Sequence, residues 1–297
     1  MDSLELNKID DYWAEMIRKY PVDNKNDPNI SNLEQFQTIA DEIISRAGVF
    51  APLFRGQPDA SFELESSLDR SPEPDISMFE YYRRLYVVKP RIEAFTGQRW
   101  EEIAEAKDPS SFADYDSIRQ RLSTYDVPHY DLLAYLRHCG FPSPLLDWTR
   151  SSYISSFFAL KSKSYNVHPA IFVFVERPTG MKTSSSREPH IFSLNSAVRT
   201  HQRHFLQQAE YTICTQFHSP TGDLSAGAWT FPKYTSAINR FGPSQNIVLK
   251  FVLDRTMRDA ALKRLHSYNI NSYSLFGNEE SLIETMAYEE FELNRHR

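Results

Sequence analysis

His138-Cys139-Gly140-Phe141-Pro142-Ser143-Pro144-Leu145-Leu146-Asp147-Trp148-Thr149 interleaves polar and apolar residues around two prolines that stiffen the chain. A helical period over 128–139 runs into it and stops at Gly140, so Leu145 to Thr149 emerges from a fixed turn. Ser151 to Lys161 then predicts a helix burying Ile154, Phe157 and Phe158, and Ala170 to Val175 is an apolar strand.

Working outward, Val49 to Phe54 predicts a short buried strand ending in Arg55-Gly56-Gln57, and Phe62, Leu64 and Leu68 a second extended segment. Ser31 with Glu34 forms a capping-box pattern ahead of Leu33, Phe36, Ile39, Ile43 and Ile44, with Gly48 as the stop. Leu4, Ile9, Trp13, Met16 and Ile17 have helical spacing and precede the polar linker 21–29, so residues 1–30 are expected to be a helical extension and 31–297 one domain. Helices are predicted over 75–95 and 110–123, strands near 191–194, 210–217 and 246–253, and closing helices near 254–267 and 278–293. The polar run 179–190 predicts a mobile loop. This order lacks the regular alternation of a doubly wound sheet, and the fold class is α+β.

The 297 residues contain 20 Phe and 16 Tyr, enough for a large core. A net charge of -6 gives no global cationic field for non-specific nucleic-acid binding and leaves only a local basic cleft. Two cysteines, a start without the order of a signal peptide, and no apolar run near 20 residues lead to the expectation of a cytoplasmic protein off the membrane. Rossmann, Walker, zincin and nucleophile-elbow patterns are absent. His201 and His204 lack further ligands and are expected to be surface or packing residues, with no metal.

Two blocks carry candidate chemistry. Arg55 ends an apolar strand beside Gly56; its planar guanidinium suits a phosphate and the glycine would admit a ligand to the backbone, or the arginine is simply paired with a structural carboxylate. In the second block Asp147 and Thr149 either cap the next helix or orient a ligand.

Together these blocks resemble the FRG domain, named for the tripeptide that is Phe54-Arg55-Gly56 here. Its longer signature is met at His138, Gly140, Pro142, Leu145, Leu146, Asp147, Trp148 and Thr149, and its later Arg and Gln-Gln at Arg203 and Gln207-Gln208. The resemblance spans roughly residues 33 to 285. The chain departs from it at Arg137 and Cys139, where Gln and Tyr are usual, at Ala209 for Gly, and at Phe276-Gly277-Asn278 for Phe-Pro-Asp.

The resemblance implies an ADP-ribosyltransferase-like split β-sheet with a helical N-terminal part, using NAD as substrate to modify a macromolecular acceptor in RNA, DNA or protein. A toxin or antiviral defence effector, with an inhibitory antitoxin-like partner, is the role implied. Arg55, with Gly56, Gln57, His138, Asp147, Ser151, Ser152, Phe158 and Tyr211, would then hold NAD. Gln208 and Glu210 would share one face of a strand, Gln208 orienting the acceptor and Glu210, positioned by Thr149, stabilising an oxocarbenium-like ribose while nicotinamide leaves neutral. Glu210 is otherwise an exposed strand carboxylate, Tyr211 and Phe158 are otherwise core, and Glu279, Glu280 and Glu284 are reserve acids on a solvated helix face. The rival expectations are an NAD glycohydrolase or other hydrolase, and a non-catalytic module that grips a phosphate ligand or partner.

Overall fold

The computed structural model describes residues 3–48, 50–100, 126–163, 166–182, 187–194, 197–218, 228–240 and 242–293. The helix expected over 110–123, part of the 179–190 loop and Val49 lie outside them. The fold is mixed helix and sheet, as expected.

Seven strands form the sheet: β1 (Leu53–Gln57), β2 (Leu146–Thr149), β3 (Ala170–Val175), β4 (His190–Ser193), β5 (Ala209–His218), β6 (Ala228–Thr230) and β7 (Ile247–Val252). Their order is β4-β5-β2-β1-β3-β7, with β6 on β5, and every pairing is antiparallel. β3 and β7 match in six pairs, β1 and β3 in five, but β1 and β2 only at Phe54↔Thr149. β1 starts after Pro52, which has no amide hydrogen for a ladder, and so carries Arg55, Gly56 and Gln57 inside the strand rather than beyond it.

β3 is apolar throughout because both its faces are covered. Ile171, Val173 and Val175, with Phe54, Leu249 and Phe251, face one helical layer. Phe172 and Phe174 join Leu53, Trp148, Cys214 and Tyr234 on the other side. The helical layer contains α1 (Ser3–Lys19), α2 (Leu33–Arg46), α5 (Ser152–Leu160), α7 (Arg258–Ser267) and α8 (Ser272–Phe276). A second cluster packs α3 (Met78–Thr96) and α4 (Tyr130–His138) on Tyr211, Ile213 and Phe217 of β5. Short α6 (Arg203–Leu206) and α9 (Glu279–Tyr288) complete the helices described. None of these is long and apolar enough to cross a membrane.

Residues 9–30 are integrated into this core. Trp13, Met16, Tyr20 and Ile30 are buried against the sheet, and Tyr20 O, Asn29 and Ile30 hydrogen-bond to the free edge of β7. An otherwise open strand edge is thereby covered. Truncating a buried aromatic such as Trp13 to Ala would cost roughly 3–5 kcal/mol.

Several local expectations shift. The cap of α2 is Asn32, one residue after Ser31, and Gln35 rather than Glu34 reaches back to Ser31 N–H. The segment around Phe62 to Leu68 is not a strand: Ser66 and Asp69 exchange side-chain-to-backbone hydrogen bonds and close a turn, burying Leu64 and Leu68. The cap of α5 is Ser151, which accepts from Ile154 N–H; Thr149 belongs to β2.

Candidate functional site

A cleft of about 390 Å3 opens where β1 and β2 part, floored by Arg55, Asp147 and Thr149. α5 supplies Phe158, and Lys161 stands just beyond that helix. His138 comes from the end of α4, Arg203 and Gln207 from α6 and the residue after it, and Phe276 from α8.

Gly56 determines how closely α5 approaches this floor. A Cβ there would stand 2.0 Å from Ser155 O and 2.5 Å from Ala159 N, so only glycine lets the helix backbone rest on β1. The side freed by the missing side chain is filled by protein. The last residue of Phe54-Arg55-Gly56 therefore serves helix packing rather than the ligand approach expected for it.

Asp147 is the electrostatic centre. Arg55 Nη1 lies 3.0 Å from its carboxylate and donates to its carbonyl at 2.6 Å, and Arg137 Nη2 donates to the carboxylate at 2.5 Å. Desolvation works to raise the Asp147 pKa, but the two guanidiniums outweigh it and hold the group well below the usual carboxylate range. Arg137 is correspondingly raised by the Asp147 charge. Both arginines are largely buried, while the Asp147 side chain keeps 43% of its surface open. The Nε atoms of Arg55, Arg137 and Arg203 are buried and find no hydrogen-bond partner among the described residues.

His138 Nε2 lies 2.7 Å from Tyr211 Oη, which also approaches His204 Nδ1 at 3.4 Å. Burial pushes the His138 pKa down to about 4, so its ring is neutral at pH 7. Toward the mouth, the Lys161 and Arg203 cations stand 4.8 and 5.3 Å from the Phe276 ring, and Phe276 meets Phe158 edge-on. Among the described residues the wall thus carries Arg55, Lys161 and Arg203 against the one carboxylate of Asp147, and with Glu284 paired to Lys161 from behind a local positive excess still remains in a chain of net charge -6.

Of the residues singled out in the sequence, Arg55, Gly56, His138, Asp147, Thr149 and Phe158 meet in this cleft. The others stand elsewhere. Gln57 is buried and donates to Glu63 O, and Ser152 donates to Gln37 Oε1 at 2.5 Å under α2. Ser151 is occupied as a cap, and Tyr211 lies beneath His138. Gln208 has φ +48 and ends the turn before β5, so it does not share a strand face with Glu210.

Glu210 pairs across the sheet with Trp148, and its carboxylate is held by Arg150 outside the cleft wall. Thr149 does not touch it; the hydroxyl donates to Gln207 O at 2.7 Å and accepts from Ser151 N–H. Glu284 bonds Lys161 from α9, whereas Glu279 and Glu280 are exposed. Lys161, Gln207 and Phe276 were not singled out as ligand contacts, because the distant segments that bring them together leave no local pattern. Arg137 was visible only as a departure from the resembled motif, immediately before His138.

No curated protein and no solved structure matches the chain. Residues 51–167 match the sequence model of the FRG domain, a stretch that holds Arg55, Arg137, His138, Asp147, Thr149, Phe158 and Lys161 but not Arg203, Gln207 or Phe276. Residues 51–167 of the chain are thus an FRG domain.

Proposed function

We propose that the protein is an NAD-dependent ADP-ribosyltransferase that modifies a macromolecule, with the cleft between β1 and β2 as its ligand site. The observation that carries this reading is the placement of Arg55, Thr149 and Glu210 on three adjacent strands, β1, β2 and β5. Phe54, Thr149 and Ala209 pair in one row across them, and Arg55 and Glu210 each stand one residue from that row.

The cleft suits a pyrophosphate flanked by rings. Arg55, Lys161 and Arg203 supply charge and guanidinium or ammonium donors, and Phe158 with Phe276 supplies an aromatic wall. In the transfer, the ribose–nicotinamide bond breaks, nicotinamide leaves neutral, and the acceptor nucleophile bonds to the ribose carbon and gives up its proton. Glu210 would stabilise the cationic ribose after exchanging Arg150 for a ribose hydroxyl. A cytoplasmic toxin or defence effector restrained by an inhibitory protein is the accompanying proposal for its role.

One observation favours a second reading, a phosphate-ligand module without turnover: the single carboxylate of the cleft wall is occupied by two arginines, and Glu210 stands outside. Nicotinamide release from NAD separates the two, measured on the protein alone and with RNA, DNA or cell-protein mixtures, beside Arg55→Ala and Glu210→Gln. Release stimulated by one mixture and lost in both variants supports the transferase and names the acceptor class. Release without labelled acceptor indicates a glycohydrolase. NAD binding that Arg55→Ala weakens, with no release in any mixture, leaves the binding module.

A further inference from the structure

A second concave site shares no wall residue with the cleft. It encloses about 470 Å3 beneath the segment joining α1 to α2, between Val22, Phe62, Leu64, Phe172 and Ile238, with Lys250 of β7 in its wall. Arg55, Phe172 and Lys250 pair in one row across β1, β3 and β7. The pocket therefore lies two strands from the seam where the cleft opens.

Lys250 is 2% exposed. Its Nζ donates to Ala60 O at 2.5 Å and stands 5.2 Å from the Phe172 ring centre; among the described residues it makes no ion pair. A buried ammonium with one carbonyl acceptor and no counter-ion is costly, and shedding a proton relieves that cost. The charged groups around it are Asp23 and Lys25 from the α1–α2 connection, and Asp59 and Glu63 from the stretch after β1. Burial lowers the Lys250 pKa and Lys25 lowers it further, the three carboxylates opposing, so that it is pushed down to about 8. Lys25 at the rim is matched by Asp23 and Glu63, so the opening has no cationic surplus with which to select an anion.

We propose that this pocket binds a small apolar aldehyde or ketone and that Lys250 holds it as an imine. The neutral Nζ adds to the carbonyl carbon to give a carbinolamine. A C=N bond then replaces the C–O bond, and the oxygen leaves as water with the two hydrogens of the amine. No electrons are transferred and no co-reactant is required. Apolar walls favour the condensed product by excluding water, and the Phe62, Leu64 and Ile238 side chains fit an alkyl or aryl body.

The test is reductive trapping at pH 7.5 with butanal and cyanoborohydride, followed by peptide mapping. An amine titrating near 8 has on the order of a hundredfold more free base at that pH than an ordinary lysine, so Lys250 should be labelled about tenfold or more faster than exposed Lys25. Thr235→Trp, at the exposed rim, should slow labelling of Lys250 and leave Lys25 unaffected. Lys250→Met should remove the fast phase. Labelling of Lys250 no faster than Lys25, or a fast phase indifferent to Thr235→Trp in a protein with native circular dichroism, would overturn the proposal.

Discussion

Two lysines lie buried on this sheet in unlike company. Lys182, in the connection from β3 to β4, stands 3.0 Å from the Glu176 carboxylate and also donates to Ile191 O; Glu176 in turn accepts from the Ser193 amide and hydroxyl. Among the described residues Lys250 has the Ala60 carbonyl and the Phe172 ring but no paired carboxylate. Desolvation lowers both amines, but Glu176 opposes it directly at Lys182, whereas only more distant carboxylates do so at Lys250. The first lysine is part of a closed polar network that ties one end of β3 to β4. The second is a charge that the fold tolerates without completing its surroundings.

The largest effect that would sharpen this contrast is at Lys182. Lys182→Met takes the nearest cation from the buried Glu176 carboxylate, leaving it the Ser193 amide and hydroxyl and Arg177 at 3.6 Å, and should cost about 4 kcal/mol in denaturant unfolding. A loss under about 1 kcal/mol would show that the pair is not a staple. Lys250→Met removes a buried charge and leaves only the neutral Ala60 carbonyl without its donor, so at pH 7 it should change stability by less than about 2 kcal/mol.

The pH dependence of that second variant comes next in size. The folded Lys250 pKa, about 8, lies below the unfolded value near 10.4, so between these pH values the unfolded chain retains a proton that the folded one has released. Raising pH through that window therefore favours folding, and the native protein should gain up to about 3 kcal/mol on Lys250→Met. Parallel stability curves for the two proteins would remove the burial argument.

Asp147 extends the comparison to a carboxylate with two cations. Asp147→Asn leaves Arg55 and Arg137 without their shared charge, but the open side of Asp147 reduces the cost to about 2 kcal/mol by thermal unfolding. The smallest effect belongs to the Arg150–Glu210 pair, whose arginine is half exposed: Arg150→Ala should change stability by less than about 1 kcal/mol. A larger loss would mark that pair as structural and count against Glu210 being free to change partners.

The same distinction between local and assembled features explains what the sequence revealed. β3 and α5 were legible because each buries a continuous or periodic apolar set in one stretch. β2 was read only as a chain leaving a turn: four residues give too short a period, and its partners come from β5, sixty residues on. Five-residue α8 was missed for a similar reason, although it supplies Phe276 to the cleft. The polar stretch 21–29 read as a linker because its ladder partners on β7 are more than two hundred residues away. At the site, Arg55 and Asp147 were both visible as unusual residues. Their contact was not, and neither was the steric demand at Gly56, because each depends on the approach of separate elements.

The single ladder pair between β1 and β2, backed by the Arg55–Asp147 contact across the same seam, makes the sheet two plates with a sparse joint. β3 with β7 and β2 with β5 are each laced by several rungs, so thermal opening begins at Phe54↔Thr149, and amide hydrogens there should exchange ahead of those inside either plate. A guest that drew Arg55 away from Asp147 would loosen this joint. The width of the aperture can then change by tilting the plates, without disturbing the packing within either of them.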